Sequence, residues 1–409
     1  MSQQGPILVV SHAGRPSFAA ALDKSDLFPV VETGWHDAAP AIAHLQPAAI
    51  IADAREVDPA QLSALAKHVV AQEPYLPMIA VDPNAPLPEN ALPFARSQRD
   101  ADRLIARLRA ALRVRALHTT LQRRLKTEPF PGGSPDLDPV SNATALLVGR
   151  GASYPALSVA LGECVGVVGA LSIEAAANHL NSRDIDGIVL GEGFTPRVVE
   201  AFLSVLSEDA RFRNLPVILT SGEPAPAYDL PNLEVVSGEP EHVAGGALPL
   251  IRQHALESQL SRSLRAIDAR GLLDPHTGLL TRAAFDREFA TAVAQTLSNG
   301  GGLSVARFTF DPENPRSQLD GARIISRLMR QMDFGAVQDD GSVIAAFAAT
   351  DLRTVHAIAR RLSSVMRHTL QGKRTGRADP AVSVATLTPQ DSPHSLLARL
   401  HSESQRAAS

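Results

Sequence analysis

Along residues 5–97, short continuous apolar runs alternate with amphipathic stretches. "PILVV", "PVVETG", "AAIIAD" and "LPMIAVD" read as strands, with "PSFAAALDKS", "DAAPAIAHLQ" and "PAQLSALAKHVV" between them as helices. A strand that is apolar on both faces must be covered on both, so the pattern predicts a parallel sheet with helices above and below it. Residues 143–251 repeat the order, with "ATALLVG", "VGVVGA", "DGIVLG", "LPVILTS" and "LEVVSG" as strands and "YPALSVALGE", "IEAAANHLNS" and "PRVVEAFLSVLSED" as helices. The repetition predicts a second doubly wound unit. Between the two, "DADRLIARLRAALRVRALHTTLQRRLK" predicts a basic helix, its charged face either solvated or set against nucleic acid, and "TEPFPGGSPDLDPVSN" reads as a linker.

The helix "LIRQHALESQLSRSLRAID" leaves the second unit with Leu256, Leu260, Leu264 and Ile267 in one stripe. That spacing suits a short coiled coil or packing on its own domain. Further on, "FGAV" and "VIAAFA" flank the polar "QDDGS", whose Asp-Gly step predicts a hairpin. Just ahead of it stand Arg330 and Asp333, spaced as an i, i+3 pair near the end of the predicted helix "GARIISRLMRQM".

At 409 residues the chain exceeds one ordinary core, and roughly 150 residues per domain suggests two or three. The boundaries predict a first unit at 1–97, a basic helix and linker at 98–142, a second unit at 143–252, a linker helix at 253–271 and a third domain at 272–409. Aromatic residues make up 4% of the chain, so its cores must be built from Ala, Leu and Val. A net charge of −4 argues against broad electrostatic binding to a nucleic-acid polymer or to anionic lipid. The single cysteine, Cys164, excludes an internal disulfide and any Cys-rich zinc site. With no signal peptide and no long apolar run to insert in a membrane, a cytoplasmic location is expected.

Both N-terminal units resemble receiver domains of two-component response regulators. The resemblance implies an acidic pair after the first strand to hold Mg²⁺, an Asp ending the third strand to accept phosphate, and a Thr or Ser beyond. In the first unit Asp53 stands at the phosphoacceptor position, but Ser11 and His12 replace the acidic pair and Val81 replaces the Thr or Ser. Without carboxylates for a hard cation Mg²⁺ would bind poorly. Asp53 is therefore either a phosphoacceptor without its usual metal site or simply a polar strand end. In the second unit Gly149, Arg150 and Gly191 replace the pair and the acceptor, which implies a packing or dimerisation module.

The C-terminal third resembles the GGDEF domain of diguanylate cyclases, on "DPHTGLLTRAAF", "AIARRLSSVM", "AVSVATL" and "SLLARLHSES" in that order. The overall expectation is thus α/β: two receiver-like parallel-sheet domains followed by a GGDEF-type domain with a mainly antiparallel sheet. At the five positions of the family's catalytic turn stand Asp339, Asp340, Gly341, Ser342 and Val343. Both glycines have become carboxylates and both acids have become neutral, Thr309 stands at the first metal position although Asp311 remains, and the guanine-holding segments are missing. The resemblance therefore implies a domain without cyclase activity, bound metal or cofactor. Asp339 and Asp340 also fit as ordinary turn formers.

Many GGDEF domains carry an inhibitory product site, an RxxD motif completed by a basic residue on a later helix. Arg330 and Asp333 occupy that motif in register with the turn, and Arg361 falls on the helix position. The pattern alone is unspecific, since it recurs at Arg55 and Asp58, Arg99 and Asp102, Arg183 and Asp186, and Arg265 and Asp268. Cyclic di-GMP suits the three residues: guanidinium groups fork onto phosphate or guanine O6 and N7, and a carboxylate accepts from guanine N–H groups. The expectation is a non-catalytic cyclic-di-GMP effector, a homodimer acting on a protein partner. The alternative is a ligand-independent dimerisation or docking scaffold, with Arg330 and Asp333 as a surface ion pair and Arg361 on a solvated helix face.

Overall fold

The computed structural model describes residues 5–408 apart from 13, 25–27, 84–86, 96–100, 128–141, 223–227, 300–301, 313, 331 and 367–379. Most of the stretch read as the linker lies outside the described residues. The chain divides into two compact units, one built chiefly from residues up to 260 and the other chiefly from residues 261 onward.

The first unit contains two parallel five-stranded sheets. Strands β1 (Ile7–Ser11), β2 (Val30–Gly34), β3 (Ala49–Asp53), β4 (Met78–Val81) and β5 (Ala91–Phe94) lie in the order β2-β1-β3-β4-β5. Their side chains alternate between two cores. Ile7, Val9, Ile51 and Ile79 pack against helix α1 (Ser17–Lys24) and helix α4 (Ala101–Thr127), while Leu8, Val10, Ile50 and Met78 pack against α2 (Ala38–Leu45) and α3 (Pro59–Val70). The start of α3 is set locally: Pro59 occupies the first turn and the Asp58 carboxylate accepts from Ala60 N at 2.9 Å. The pattern reading stopped at β4; β5, "ALPF", is short, and Pro93 is tolerated because it runs along a sheet edge.

The second sheet has β6 (Thr144–Val148), β7 (Gly166–Ala170), β8 (Gly187–Leu190), β9 (Val217–Leu219) and β10 (Leu233–Val235) in the order β10-β9-β8-β6-β7. Helices α5 (Tyr154–Gly162), α6 (Ile173–Ser182) and α7 (Pro196–Glu208) connect them, and the 29-residue α8 (Pro240–Asp268) follows. Numbered within its own repeat, each sheet runs 2-1-3-4-5. Ile251 and Ala255 of α8 lie in the core of the second sheet and Leu250 in that of the first. Leu260 and Ile267 of the leucine stripe are also buried within the chain.

The basic helix α4 does not simply present its charge to solvent. Leu104, Leu108, Ala111 and Leu112 fill the first core. Arg107, fully buried, donates through Nε to Pro231 O at 2.6 Å and through Nη2 to Leu233 O and Glu234 Oε2, both at 3.0 Å. Glu234 closes the network by accepting from Ala95 N at 3.0 Å. Burial pushes the Glu234 carboxyl up and the Arg107 guanidinium down, while each partner's charge opposes the shift. A residue on the helix beside one sheet is thereby fixed to the edge strand of the other.

In the second unit a four-stranded antiparallel sheet runs β12-β13-β11-β14, built from β11 (Leu303–Thr309), β12 (Phe334–Val337), β13 (Val343–Ala348) and β14 (Ala381–Thr386). Helices α9 (Arg282–Asn299), α10 (Pro315–Leu328), α11 (Leu352–Met366) and α12 (Pro393–Ala408) supply the cover. One core joins Phe308, Ile325, Phe347 and Leu362; the other joins Phe285, Phe289, Val305 and Leu400. No helix among the described residues is long and apolar enough to cross a membrane.

Candidate functional site

The "DPHTGLLTR" segment folds as a tight loop ahead of α9. Asp274 Oδ1 accepts from His276 N at 3.0 Å and from both Thr277 N and Thr277 Oγ1 at 2.8 Å, and Gly278 turns the chain at φ +74°. Leu280 N donates to Gly335 O at 2.9 Å, which ties this loop to β12. These motif residues therefore position the hairpin; their visible chemistry is structural.

The hairpin forms as expected, with Val337 opposite Val343 and residues 338–342 as its turn. Within the turn Asp340 does more than bend the chain. Its Oδ1 accepts from Ser342 N at 3.0 Å and from Ser342 Oγ at 2.6 Å, and its Oδ2 pairs with Arg307. Arg307, nearly buried on β11, also donates through Nε to Ser342 Oγ at 3.0 Å. Burial would push the Asp340 carboxyl up, but the Ser342 donors and the Arg307 charge hold it below its ordinary value. Sequence reasoning missed Arg307; the signal available was a lone cation inside the apolar strand "LSVARFT".

Gly341 has φ +77°, and a Cβ there would collide with the side-chain amide of Gln318 on α10. Gln318 Nε2 in turn lies 3.4 Å from Asp311 O. The turn is thus occupied by the protein's own side chains. Its donor set does not fit a divalent cation: Val343 is in the core, the Ser342 hydroxyl is bonded to Asp340, and Thr309 at the end of β11 brings no carboxylate. Among the described residues no group of three or more His, Cys, Asp or Glu could hold a metal ion.

Arg330 and Asp333 lie together, but not on a helix end. Helix α10 stops at Leu328, Met329 is extended at ψ 149°, and the pair sits in the turn leading into β12. The physical reason is local. Asp333 N donates to Arg330 O at 3.0 Å and Asp333 Oδ2 accepts from Arg330 N at 3.2 Å, so the carboxylate closes a turn through the backbone. The alternative of a surface ion pair at a helix end is thus not what forms: the Arg330 side chain makes no ion pair or hydrogen bond among the described residues and is exposed. Asp333 Oδ1 is buried, with no hydrogen-bond partner within 3.5 Å among the described residues. Burial pushes this carboxyl above its ordinary value, against the pull of the Arg330 and Ala348 backbone N–H groups and of the Arg330 charge.

Arg361 is exposed on α11, which packs against α10, and its guanidinium likewise has no partner among the described residues. Among the described residues no hydrogen bond or ion pair joins it to Arg330 or Asp333. Guanidinium groups without partners among the described residues, as at Arg330 and Arg361, and a carboxylate such as Asp333's are the chemical types that take phosphate or a purine edge.

Asp53 ends β3, and its carboxylate is already engaged by Arg55, with Nε–Oδ1 at 3.1 Å and Nη2–Oδ2 at 2.9 Å. In the second sheet Arg150 N donates to Glu192 O at 3.0 Å, its guanidinium lies 5.1 Å from the Phe194 ring centre, and Thr220 Oγ1 is bonded to Leu190 O at 3.3 Å.

No protein-family model matches the sequence, and no curated protein matches it. Solved structures similar to part of it are GGDEF domains. That of DgcB from Caulobacter crescentus, crystallised with c-di-GMP, shares 18% identity over 34% of this chain and 87% of that one, with a TM-score of 0.30. That of FimX from Pseudomonas aeruginosa shares 20% over 34% and 93%, with a TM-score of 0.31. A sensory box/GGDEF family protein from Caulobacter crescentus CB15 shares 21% over 34% and 97%, with a TM-score of 0.29. These likenesses span about a third of the chain.

Proposed function

We propose that the chain is a non-catalytic effector of cyclic di-GMP, which it binds through Arg330, Asp333 and Arg361. The observation that carries this reading is the turn before β12. There the motif residues stand in register with the hairpin, the Arg330 side chain is exposed with no partner among the described residues, and the Asp333 carboxylate lies beside it. The Asp333 carboxylate accepts from guanine N1–H or N2–H, and the guanidinium groups take phosphate or the O6/N7 edge.

The turn at 339–343 supports a reading without cyclase chemistry, because Arg307 pairs with Asp340, Gln318 lies against Gly341, and Ser342 and Val343 bring no carboxylate. In the first unit the repeated 2-1-3-4-5 strand order supports the receiver-like reading. Asp53 held by Arg55, with no acidic pair beside it, supports a module that presents a surface to a protein partner instead of one that relays phosphate.

Thermal unfolding with cyclic di-GMP tests the assignment. The ligand raises the melting temperature of the full chain in a concentration-dependent way, and Arg330→Ala abolishes the rise while keeping the native circular-dichroism spectrum. An equal rise in the variant would reject the site. Product formed from GTP and Mg²⁺ would reject the non-catalytic reading.

A further inference from the structure

Two arginines of the second unit cap helices other than their own. Residues 177–184, the end of α6 and the two residues after it, belong to that unit. The last carbonyls of a helix lack intrahelical donors and sit at the negative end of its dipole, so they are natural acceptors for a cation. At the end of α6 that cation is Arg327, from the last turn of α10. Its Nη2 donates to Leu180 O at 2.9 Å, and its Nη1 donates to Arg183 O at 2.7 Å and to Asp184 Oδ1 at 3.0 Å. At the end of α11 the cation is Arg183 itself, nearly fully buried, which donates through Nη2 to Val365 O. Burial pushes the Arg183 guanidinium down to about 10 against the pull of Asp320, so it stays charged at neutral pH. Asp184 is further paired with Arg262 of α8, Oδ2 to Nη1 at 3.6 Å. The short segment 180–184 thus ties the ends of α10 and α11 together.

Those two ends carry the proposed recognition residues. Arg330 follows Arg327 by three positions, across the end of α10, and Arg361 precedes Val365 by four, one turn back along α11. We propose that segment 180–184 is a staple for the cyclic-di-GMP site, with Arg327 and Arg183 as positioning residues that touch no ligand. The staple fixes where α10 ends, and so where the Arg330–Asp333 turn begins, and it ties the last turn of α11 to the same segment. A ligand that needs both guanidinium groups then finds them preset, and less ordering entropy opposes its binding. The inference rests on the cyclic-di-GMP reading for the ligand; the positioning of the turn stands on the hydrogen bonds alone. By reciprocity, a ligand that favours the stapled arrangement also protects the staple.

The test is amide hydrogen exchange of the full chain without ligand, beside calorimetric titration with cyclic di-GMP. Arg327→Met keeps much of the side chain's reach and removes its donors. In this variant the amides of Met329 and Asp333, bonded to Ile325 O and Arg330 O in the parent, lose protection, while those of Ala306 and Ala345 at the centre of the sheet keep theirs. Affinity for cyclic di-GMP falls about tenfold, as expected if the competent turn is then populated about a tenth of the time. Arg327→Lys, which keeps the charge but not the fork, recovers part of that affinity. Asp184→Asn, at a side chain 35% exposed and therefore tolerant of substitution, shows both changes at smaller size. In the parent, cyclic di-GMP slows exchange of the Arg183 amide, which is bonded to His179 O. Unchanged exchange at Met329 and Asp333 in Arg327→Met would overturn the staple, and so would equal cyclic-di-GMP affinity in parent and variant. A parent chain that binds no cyclic di-GMP would reject the ligand reading instead, and the ligand-free exchange then decides the staple by itself.

Discussion

Asp333 carries opposed demands in one side chain. It closes the turn through Arg330 N, yet it is partly buried and its pKa is raised by that burial. A carboxyl whose folded pKa lies above its unfolded value binds extra protons in the folded state. The stabilisation so gained is complete below the unfolded pKa, near 4, and is lost as pH rises through the folded value. Ionised Asp333 is therefore a cost at neutral pH. Asp333→Asn should melt higher than the parent at pH 7, with the difference shrinking toward zero below about pH 4, while losing affinity for cyclic di-GMP. Thermal unfolding across that range checks it; a variant equally destabilised at both pH values would contradict it. Gly341 makes a complementary case. At φ +77° and under Gln318, Gly341→Ala should cost about 1–2 kcal/mol in urea denaturation from the backbone alone, and Gln318→Ala in the same chain should recover only the steric share.

At the scale of elements, apolar periodicity made most strands and helices legible, because each core face repeats every second or every third to fourth position. Side-chain partnership was not legible. Arg107 lies on a helix whose charges surround its axis, and nothing in that pattern marks it as the fully buried one. What buries it is β10, well over a hundred residues away in sequence. The same limit explains the end of α10. Arg330 and Asp333 continue a helical spacing, and only the start of β12 at Phe334 shows why the chain turns there. The Arg107–Glu234 pair tests the joining of α4 to β10. Removing either partner alone, as Arg107→Leu or Glu234→Leu, strands a buried charge and should cost about 3–5 kcal/mol. The double substitution should cost less than either single one, and a strictly additive double-mutant cycle would show that the two are uncoupled.

Taken whole, the chain joins two repeated parallel sheets in one compact unit to an antiparallel-sheet unit, and its candidate chemistry sits in different places. In the second unit Asp340 and Ser342 of the hairpin turn are bonded to each other, while the guanidinium groups of Arg330 and Arg361 have no partner among the described residues. The three recognition residues were legible from spacing because register against the hairpin turn is a property of sequence. That the two guanidinium groups have no partner among the described residues was not, since it depends on which neighbours the fold supplies. The measurement that bears most directly on the account is isothermal titration of the full chain with cyclic di-GMP, run beside Arg330→Ala and Arg361→Ala. The account predicts saturable binding of micromolar affinity or tighter, abolished by Arg330→Ala and weakened by Arg361→Ala. No heat from the correctly folded parent chain, or undiminished affinity in Arg330→Ala, would contradict it.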